Sequence, residues 1–430
     1  MIKHARSEST NFRPFCGALF FLSIVCLFRV STLIWQTYPS KACDGDTWIL
    51  ERPAIKKGHM QQKPGDETTK VFIWPQGYPH RTIGELRQIL RDGVDQSSRL
   101  QQTSDIDEHD VIFAVDLHRS NCDSIEALIQ DSLDRRKSTN STNSTIRKVV
   151  IFDFTDGSQM DSWMCLERLA LLLGKERVLY GCREFWKGRD ISLLDKPLDE
   201  PFGPLGEPRN FSNWQGYGNT TISSSANVHL LRYPVRSDMA DAMKKMIEDN
   251  YPNVSSSTNA RVSHLPRPID VASFTEVKHK MLPSITLRGH VSELIINMTK
   301  ANPNITVQVG QKGFVDEMGR SIPSVDYMRT MLKSKIVVTA QRDNHEDHYR
   351  FFEAILSGAL VMTDPMHPLP MGYVHEKNVI VYESLAELKQ RILFYLSHPV
   401  ERIRIAKAGF EHAMENHRSW HVVERILLDE

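Results

Sequence analysis

The sequence predicts an α/β protein of two domains, each a parallel sheet covered on both faces, behind one N-terminal membrane-spanning segment. Three observations carry this. From Val71 onward, short β-branched runs alternate with stretches whose apolar residues recur at three- and four-residue spacing, the signature of repeated strand–helix units. Residues 71–430 are long enough to bury two substantial cores. Phe15 to Trp35 is apolar apart from a few residues and, at about 1.5 Å per helical residue, spans roughly 30 Å, one bilayer.

The first domain, 71–265, opens with a strand at Val71–Trp74 and a helix marked by Ile83, Leu86, Ile89 and Leu90. A second strand, Val111–Val115, leads into a helix carrying Ile125, Leu128, Ile129 and Leu133. Val149–Phe152 is a third strand, Met164–Leu173 a leucine-rich helix, and Val178–Tyr180 and Val228–Leu231 are two more strands around a long irregular insertion. Such βα repeats build a Rossmann-like sheet. The stretch holds no G-x-G-x-x-G and no Walker motif, so nothing in it argues for NAD or ATP. Asp153 to Gly157 reads as a strand-end turn. Asp116 and His118, just past the second strand, are the candidates for proton transfer on this side.

The second domain, 266–430, follows the same pattern. Strands are expected at Ile269–Phe274, Ile305–Val309, Ile336–Val338, Leu360–Met362 and Val379–Tyr382. Helices are expected around Arg288, Leu294 and Ile295, over Val325–Leu332 and Tyr349–Leu356, along Leu385, Leu388, Ile392 and Leu396, and in two closing segments with Ile403, Ile405 and Ala406, then Val422, Val423 and Ile426.

Lys3, His4, Arg6 and Arg13 precede the apolar run and place residues 1–14 in the cytoplasm. Arg29 would cost about 2.5–3.5 kcal/mol at the bilayer centre, but it lies toward one end and can snorkel. A cleaved signal peptide with Phe15–Phe28 as its apolar core is the competing reading. Either way, after a polar stem over 36–70, the bulk of the chain lies in the lumen of the secretory pathway, as a type II Golgi or ER membrane protein if the anchor is kept. Seven N-x-Ser/Thr acceptors agree: Asn140, Asn143, Asn210, Asn219, Asn253, Asn297 and Asn304. Cys43, Cys122, Cys165 and Cys182 lie beyond the span and allow three pairings. There is no C-x-x-C. The 53 basic and 53 acidic residues are evenly mixed, so nothing suggests a nucleic-acid surface or an acidic tail.

The chemistry is expected in the unit Lys335–Asp364. Its strand runs into a charged loop, Gln341–Asp347, then a helix with Phe351, Phe352, Ile355 and Leu356, a terminating Gly358, and a strand that stops at Asp364. In doubly wound sheets ligands bind outside the carboxyl ends of the strands. Arg350-x-x-Glu353-Ala354, then Ser357-Gly358-Ala359 and an apolar strand, resembles the donor-sugar motif of GT-B glycosyltransferases of the group 1, exostosin-like and CgeB-like families. Asp270 to Phe274, Arg288, Val307 to Val309 and Tyr327-Met328 through Lys335-Ile336 match the CgeB-like layout, so the resemblance covers about 266–430. It implies a ribose-binding role for Glu353, a diphosphate facing Arg350, and no metal. The sequence departs from the group 1 pattern in one place: Glu346 and Glu353 have six residues between them, and the seven-residue position falls on His345.

The residues make physical sense of this. A nucleotide sugar brings two phosphate charges and a ribose diol. A helix start with Arg342 and Arg350 beside it, and Arg288 reaching across from the preceding unit, would hold the phosphates. Glu353, one turn on, can grip a diol, and Asp364 either meets the sugar or caps a turn. Each feature also has a plain reading. Arg350 and Glu353 at i,i+3 could be an exposed ion pair worth a few tenths of a kcal/mol, and Glu346 and Asp347 could merely complement a helix start. His345-Glu346-Asp347-His348 falls one residue short of H-E-x-x-H and is not read as a zinc site. The expected function is transfer of a sugar from a nucleotide donor to a glycan or glycoprotein, with no cofactor and Asp116, His118 and Glu346 as candidate catalytic groups. A decayed, binding-only protein of the same fold and a hydrolase with paired carboxylates are the alternatives.

Overall fold

Two parallel sheets organise the chain, one built from strands before Leu230 and the other from strands after Pro268. The computed structural model describes residues 68–74, 92–115, 119–138, 146–153, 163–182, 227–230, 233–250, 265–275, 287–310, 324–341, 349–366 and 369–428, all within one compact unit, Lys56–Glu430. The expected span at 15–35, the stem as far as residue 67 and the helix near Ile83 lie outside them; Thr69 and Lys70, expected at the end of the stem, instead open the first strand. No helix among the described residues is long and apolar enough to cross a membrane.

The first sheet has six strands: β1 (Thr69–Trp74), β2 (Leu100–Thr103), β3 (Val111–Val115), β4 (Lys148–Asp153), β5 (Val178–Cys182) and β6 (Asn227–Leu230), in the order β2-β1-β3-β4-β5-β6 with every pairing parallel. β2 is the strand the apolar pattern misses. It lies at the sheet edge, and of its residues Leu-Gln-Gln-Thr only Leu100 is buried, so it carries no β-branched run. Helices α1 (Arg119–Ser138) and α2 (Trp163–Leu173) cover one face. Buried Cys122 and Cys165 join them in a disulfide with Cα atoms 5.4 Å apart, the pairing the sequence left open.

The second sheet has five strands, β7 (Ile269–Ser273), β8 (Val307–Val309), β9 (Ser334–Thr339), β10 (Leu360–Thr363) and β11 (Ile380–Val381), in the order β11-β10-β9-β7-β8 and again all parallel. The chain leaves β7 for β8 on one side and returns to β9 on the other. The topological switch point therefore lies between the carboxyl ends of β7 and β9, the place where open α/β sheets bind ligands. Helices α3 (Ser237–Asn250), α4 (Leu287–Ala301), α5 (Val325–Leu332), α6 (Arg350–Leu356), α7 (Leu385–Ser397) and α8 (Pro399–Asn416) pack on its two faces. Arg267 ties three of these elements, donating to the carbonyls of Leu332 and Ser334 at 3.0 and 2.7 Å and of Ser357 at 2.8 Å.

Two helices cross between the sheets. α3 follows the first sheet in sequence, yet Met239, Met243 and Ile247 pack with Ala272, Tyr327 and Phe352 of the second. The last helix, α9 (Ser419–Leu428), does the reverse: Val422, Val423, Ile426 and Leu427 join Val71, Phe113, Val150 and Phe152 of the first. The Lys148 ammonium donates to the Ile426 carbonyl at 2.8 Å and the Ser97 hydroxyl to Glu424 at 2.5 Å. The two crossing segments run side by side, Val235 N–H donating to the His417 carbonyl at 2.7 Å.

Gly409 sets how closely α8 lies on the second sheet. A Cβ there would stand 2.4 Å from the Asn378 carbonyl oxygen and 3.3 Å from Ile355 Cδ1, and the Tyr373 hydroxyl donates to Gly409's own carbonyl at 3.0 Å. Alanine would gain about 1 kcal/mol of helix propensity but forces backbone apart at a cost of about 1–3 kcal/mol or more. The contact is with backbone, so the loss should win. Gly409→Ala is expected to lower the urea midpoint, and an unchanged or higher midpoint would show that the helix can shift freely.

Candidate active site

The carboxyl ends of β7, β9 and β10 converge on one polar cluster. At the end of β7 and the start of α4, the hydroxyls of Ser273, Thr275 and Ser292 lie within hydrogen-bond distance of one another, at 2.9 Å for Thr275 and Ser292. Arg288, second residue of α4, sends Nε across the switch point to the Ala340 carbonyl at 2.9 Å. This is the reach from the preceding unit that its position suggested. Asp364, fully buried at the end of β10, accepts from the Gln341 N–H at 2.8 Å. It therefore fastens the chain leaving β9 to the end of β10.

α6 begins at this edge. It is seven residues long, starts at Arg350 without a side-chain cap, and ends with Gly358 in the left-handed region at φ 66°. A helix this short supports little of the dipole the sequence argument gave it, so the positive charge here is chiefly the Arg350 guanidinium. Tyr349 packs edge-on to Tyr233, ring centres 6.1 Å apart, in the apolar cluster of the first sheet. The start of α6 thus sits where the two sheets meet.

Glu353 is only 1% exposed, and its Oε2 accepts from the hydroxyl of the fully buried Tyr327 at 2.6 Å. Arg350 is half-buried, 5.8 Å from the centre of the Tyr349 ring. Burial opposes its charge, but Tyr349, Tyr327 and Glu353 outweigh that and hold its pKa above the ordinary value. Burial, followed by the Glu353 charge, pushes the Tyr327 phenol well up, so it stays a donor. The exposed i,i+3 pair is not what forms. A buried carboxylate, a phenol and a guanidinium share one pocket of charge, where each hydrogen bond is stronger than in water.

Arg342, His345 and Glu346, and on the other side Asp116 and His118, lie outside the described residues, as do Asn140, Asn143, Asn210, Asn219 and Asn253. Asn297 and Asn304 are described, and both are exposed. Among the described residues no group of three or more His, Cys, Asp or Glu could hold a metal ion. Sequence reasoning had not marked Tyr327, Thr275 or Ser292 for the site. A tyrosine inside an apolar helix face gives no sign that its hydroxyl has a carboxylate to meet.

Residues 290–428, from within α4 to the end of α9, match a family model described as glycosyl transferase-like. Over this stretch the chain is similar to glycosyl transferase-like domains. Tyr327, Gln341, Arg350, Glu353 and Asp364 all belong to it, and Arg288 stands two residues before it. No curated protein matches the chain. Among solved structures, the chain is similar to HepE of Anabaena in complex with UDP, with 12% identity over 84% of this chain and 99% of that one and a TM-score of 0.42. A glycosyltransferase from Rickettsia africae gives 10%, 85%, 97% and 0.42 in the same order. An α1,3-fucosyltransferase gives 10%, 82%, 84% and 0.39.

Proposed function

We propose that the chain is a lumenal, membrane-anchored glycosyltransferase of GT-B architecture that moves a sugar from a nucleotide donor to a glycan or glycoprotein. The observation that carries this is the Arg350–Tyr327–Glu353 cluster at the switch-point edge of the glycosyltransferase-like domain. In the reaction the bond from the sugar's anomeric carbon to the diphosphate oxygen breaks and a bond to an acceptor hydroxyl forms. The hydroxyl proton passes to a base, for which Asp116, His118 and Glu346 are the candidates. Charge gathers on the departing diphosphate, and fixed guanidiniums there are the type of group that contributes most to rate. Arg350 and Arg288 take that role, and Arg342 and His345 join them as sequence-based candidates. Glu353 holds the ribose hydroxyls, and Asp364 organises the β9 and β10 ends. No cofactor or metal is required in this scheme.

The compartment reading draws on independent features. A disulfide between Cys122 and Cys165 suits an oxidising lumen, and exposed Asn297 and Asn304 are open to glycosylation. Residues 15–35 supply the anchor.

The test uses full-length protein in detergent with a panel of UDP- and GDP-sugars, with and without EDTA, reading release of the nucleoside diphosphate. Slow release from one donor, undiminished by EDTA, is expected. Tight binding without release would mark a binding-only protein, and cleavage of a glycan with no donor present would mark a hydrolase.

A further inference from the structure

Gln341, at the carboxyl end of β9, carries a buried polar atom that has no partner among the described residues. Its side chain is 4% exposed, and Oε1 accepts no hydrogen bond from the described residues. The other head atom is poorly held. Nε2 stands 3.5 Å from the Thr363 hydroxyl and 3.1 Å from the Met366 sulfur, the first at the limit of a hydrogen bond and the second a weak acceptor. The backbone, by contrast, is fixed, since Gln341 N–H donates to Asp364 at 2.8 Å. A side chain is thus held by its main chain at the strand ends where a ligand would lie, with its carbonyl oxygen uncommitted. Leaving such an acceptor empty is unfavourable, and a group in that state is one that a bound molecule can complete.

The chemistry of the amide says what that molecule offers. An unfilled carbonyl oxygen needs an O–H or N–H donor, which a diphosphate lacks. If the amide turns over, Nε2 becomes the open atom and needs an acceptor. A sugar hydroxyl both donates and accepts, so it satisfies either orientation. The diphosphate has Arg288 on the other side of Ala340 and Arg350 at the start of α6.

We propose that Gln341 reads a hydroxyl of the transferred sugar and so selects among donors that share a nucleotide. The proposal rests on the transferase reading above, and its test separates the two. Binding of UDP, GDP, UDP-glucose, UDP-galactose, UDP-N-acetylglucosamine, GDP-mannose and GDP-fucose is measured by calorimetry for the full-length wild type, Gln341→Leu and Gln341→Met. The quantity compared is the ratio of the affinity for a nucleotide sugar to that for its free diphosphate. Both variants should weaken that ratio about 10-fold for the preferred sugar, the worth of one well-placed hydrogen bond. Affinity for the free diphosphate should stay within about two-fold, and the thermal midpoint should hold or rise because an unfilled buried acceptor is gone. If the wild type binds a nucleotide sugar and both variants keep its ratio, this inference fails and the transferase reading stands. Equal loss for diphosphate and sugar, or a fallen midpoint with an unchanged ratio, also overturns it. If the wild type binds none of the panel, the transferase reading fails and takes this one with it.

Discussion

Glu353→Gln should slow sugar transfer about 100-fold while the protein remains folded. Two charge-assisted hydrogen bonds from a diol to a carboxylate are worth about 1.5 kcal/mol each, and each 1.36 kcal/mol is a factor of ten. Glutamine keeps the length and can still accept from Tyr327 through its remaining oxygen, now 2.6 Å away in the wild type, so the change isolates charge from shape. Removing the charge leaves the Arg350 guanidinium with one neighbour fewer in a buried site, which costs stability as well. Rates should therefore be read well below the unfolding midpoint, and circular dichroism at that temperature must match the wild type. Arg350→Lys should lower kcat more than it raises KM, because an ammonium cannot offer two parallel donors to phosphate. Tyr327→Phe should have a smaller effect of about 10-fold, since Glu353 keeps its charge but loses its tether. Had the pair been an exposed i,i+3 bridge, each of these changes would be nearly silent. Unaltered steady-state kinetics in Glu353→Gln would remove Glu353 from the site.

Much of the fold could be read from apolar spacing, because parallel strands buried on both faces leave an unbroken β-branched run. Ile336–Val338 and Leu360–Met362 announce β9 and β10 in this way, and Gly358 marks the end of α6 where it stands at φ 66°. β2 escaped because an edge strand needs only one buried side, here little more than Leu100. α3 escaped although Met239, Met243 and Ile247 hold helical spacing; methionine among acidic and basic neighbours is a faint signal. The crossing of α3 and α9 between the sheets had no local trace at all. Their apolar faces say that something is buried, not which sheet does the burying. The site divides along the same line. Arg288, Arg350, Glu353 and Asp364 could be named because each is charged and sits at a predicted strand end or helix start. The Tyr327 hydroxyl and the unfilled Gln341 amide exist as site features only once β9, β10, α5 and α6 are folded against one another.

Lowering the pH from 6.5 to 4 should destabilise the protein steeply, by up to about 1.4 kcal/mol per pH unit for each of three buried or half-buried histidines. His109 and His417 are 4% and 3% exposed, and both have pKa values pushed down to about 4. Desolvation is the main cause in each. The Arg136 guanidinium, 3.1 Å from the ring, adds to it at His109, and Arg425 and neighbouring histidines add to it at His417, against an opposing hydrogen bond to the Met371 carbonyl at 2.8 Å. The folded-state value lies below the unfolded one, so the unfolded chain binds more protons. The contribution is whole above about 6.5 and is lost as pH falls through about 4. Carboxylates with lowered pKa values, such as Asp107 and Glu376, act lower on the scale and do not blur this window. His421 is pushed down to about 4 as well, by desolvation with Arg425 and Arg418 beside it, and adds a third contribution of the same sign. His417 also matters most for architecture, because it stands at the turn from α8 to α9 and its carbonyl receives the Val235 N–H that pairs the two crossing segments. Urea unfolding across pH 7 to 4 measures the slope, and His417→Gln, which retains a side-chain donor for the Met371 carbonyl, should remove about a third of it. A pH-independent midpoint over that range, or a slope untouched by His417→Gln, would mean that these rings take up protons without unfolding.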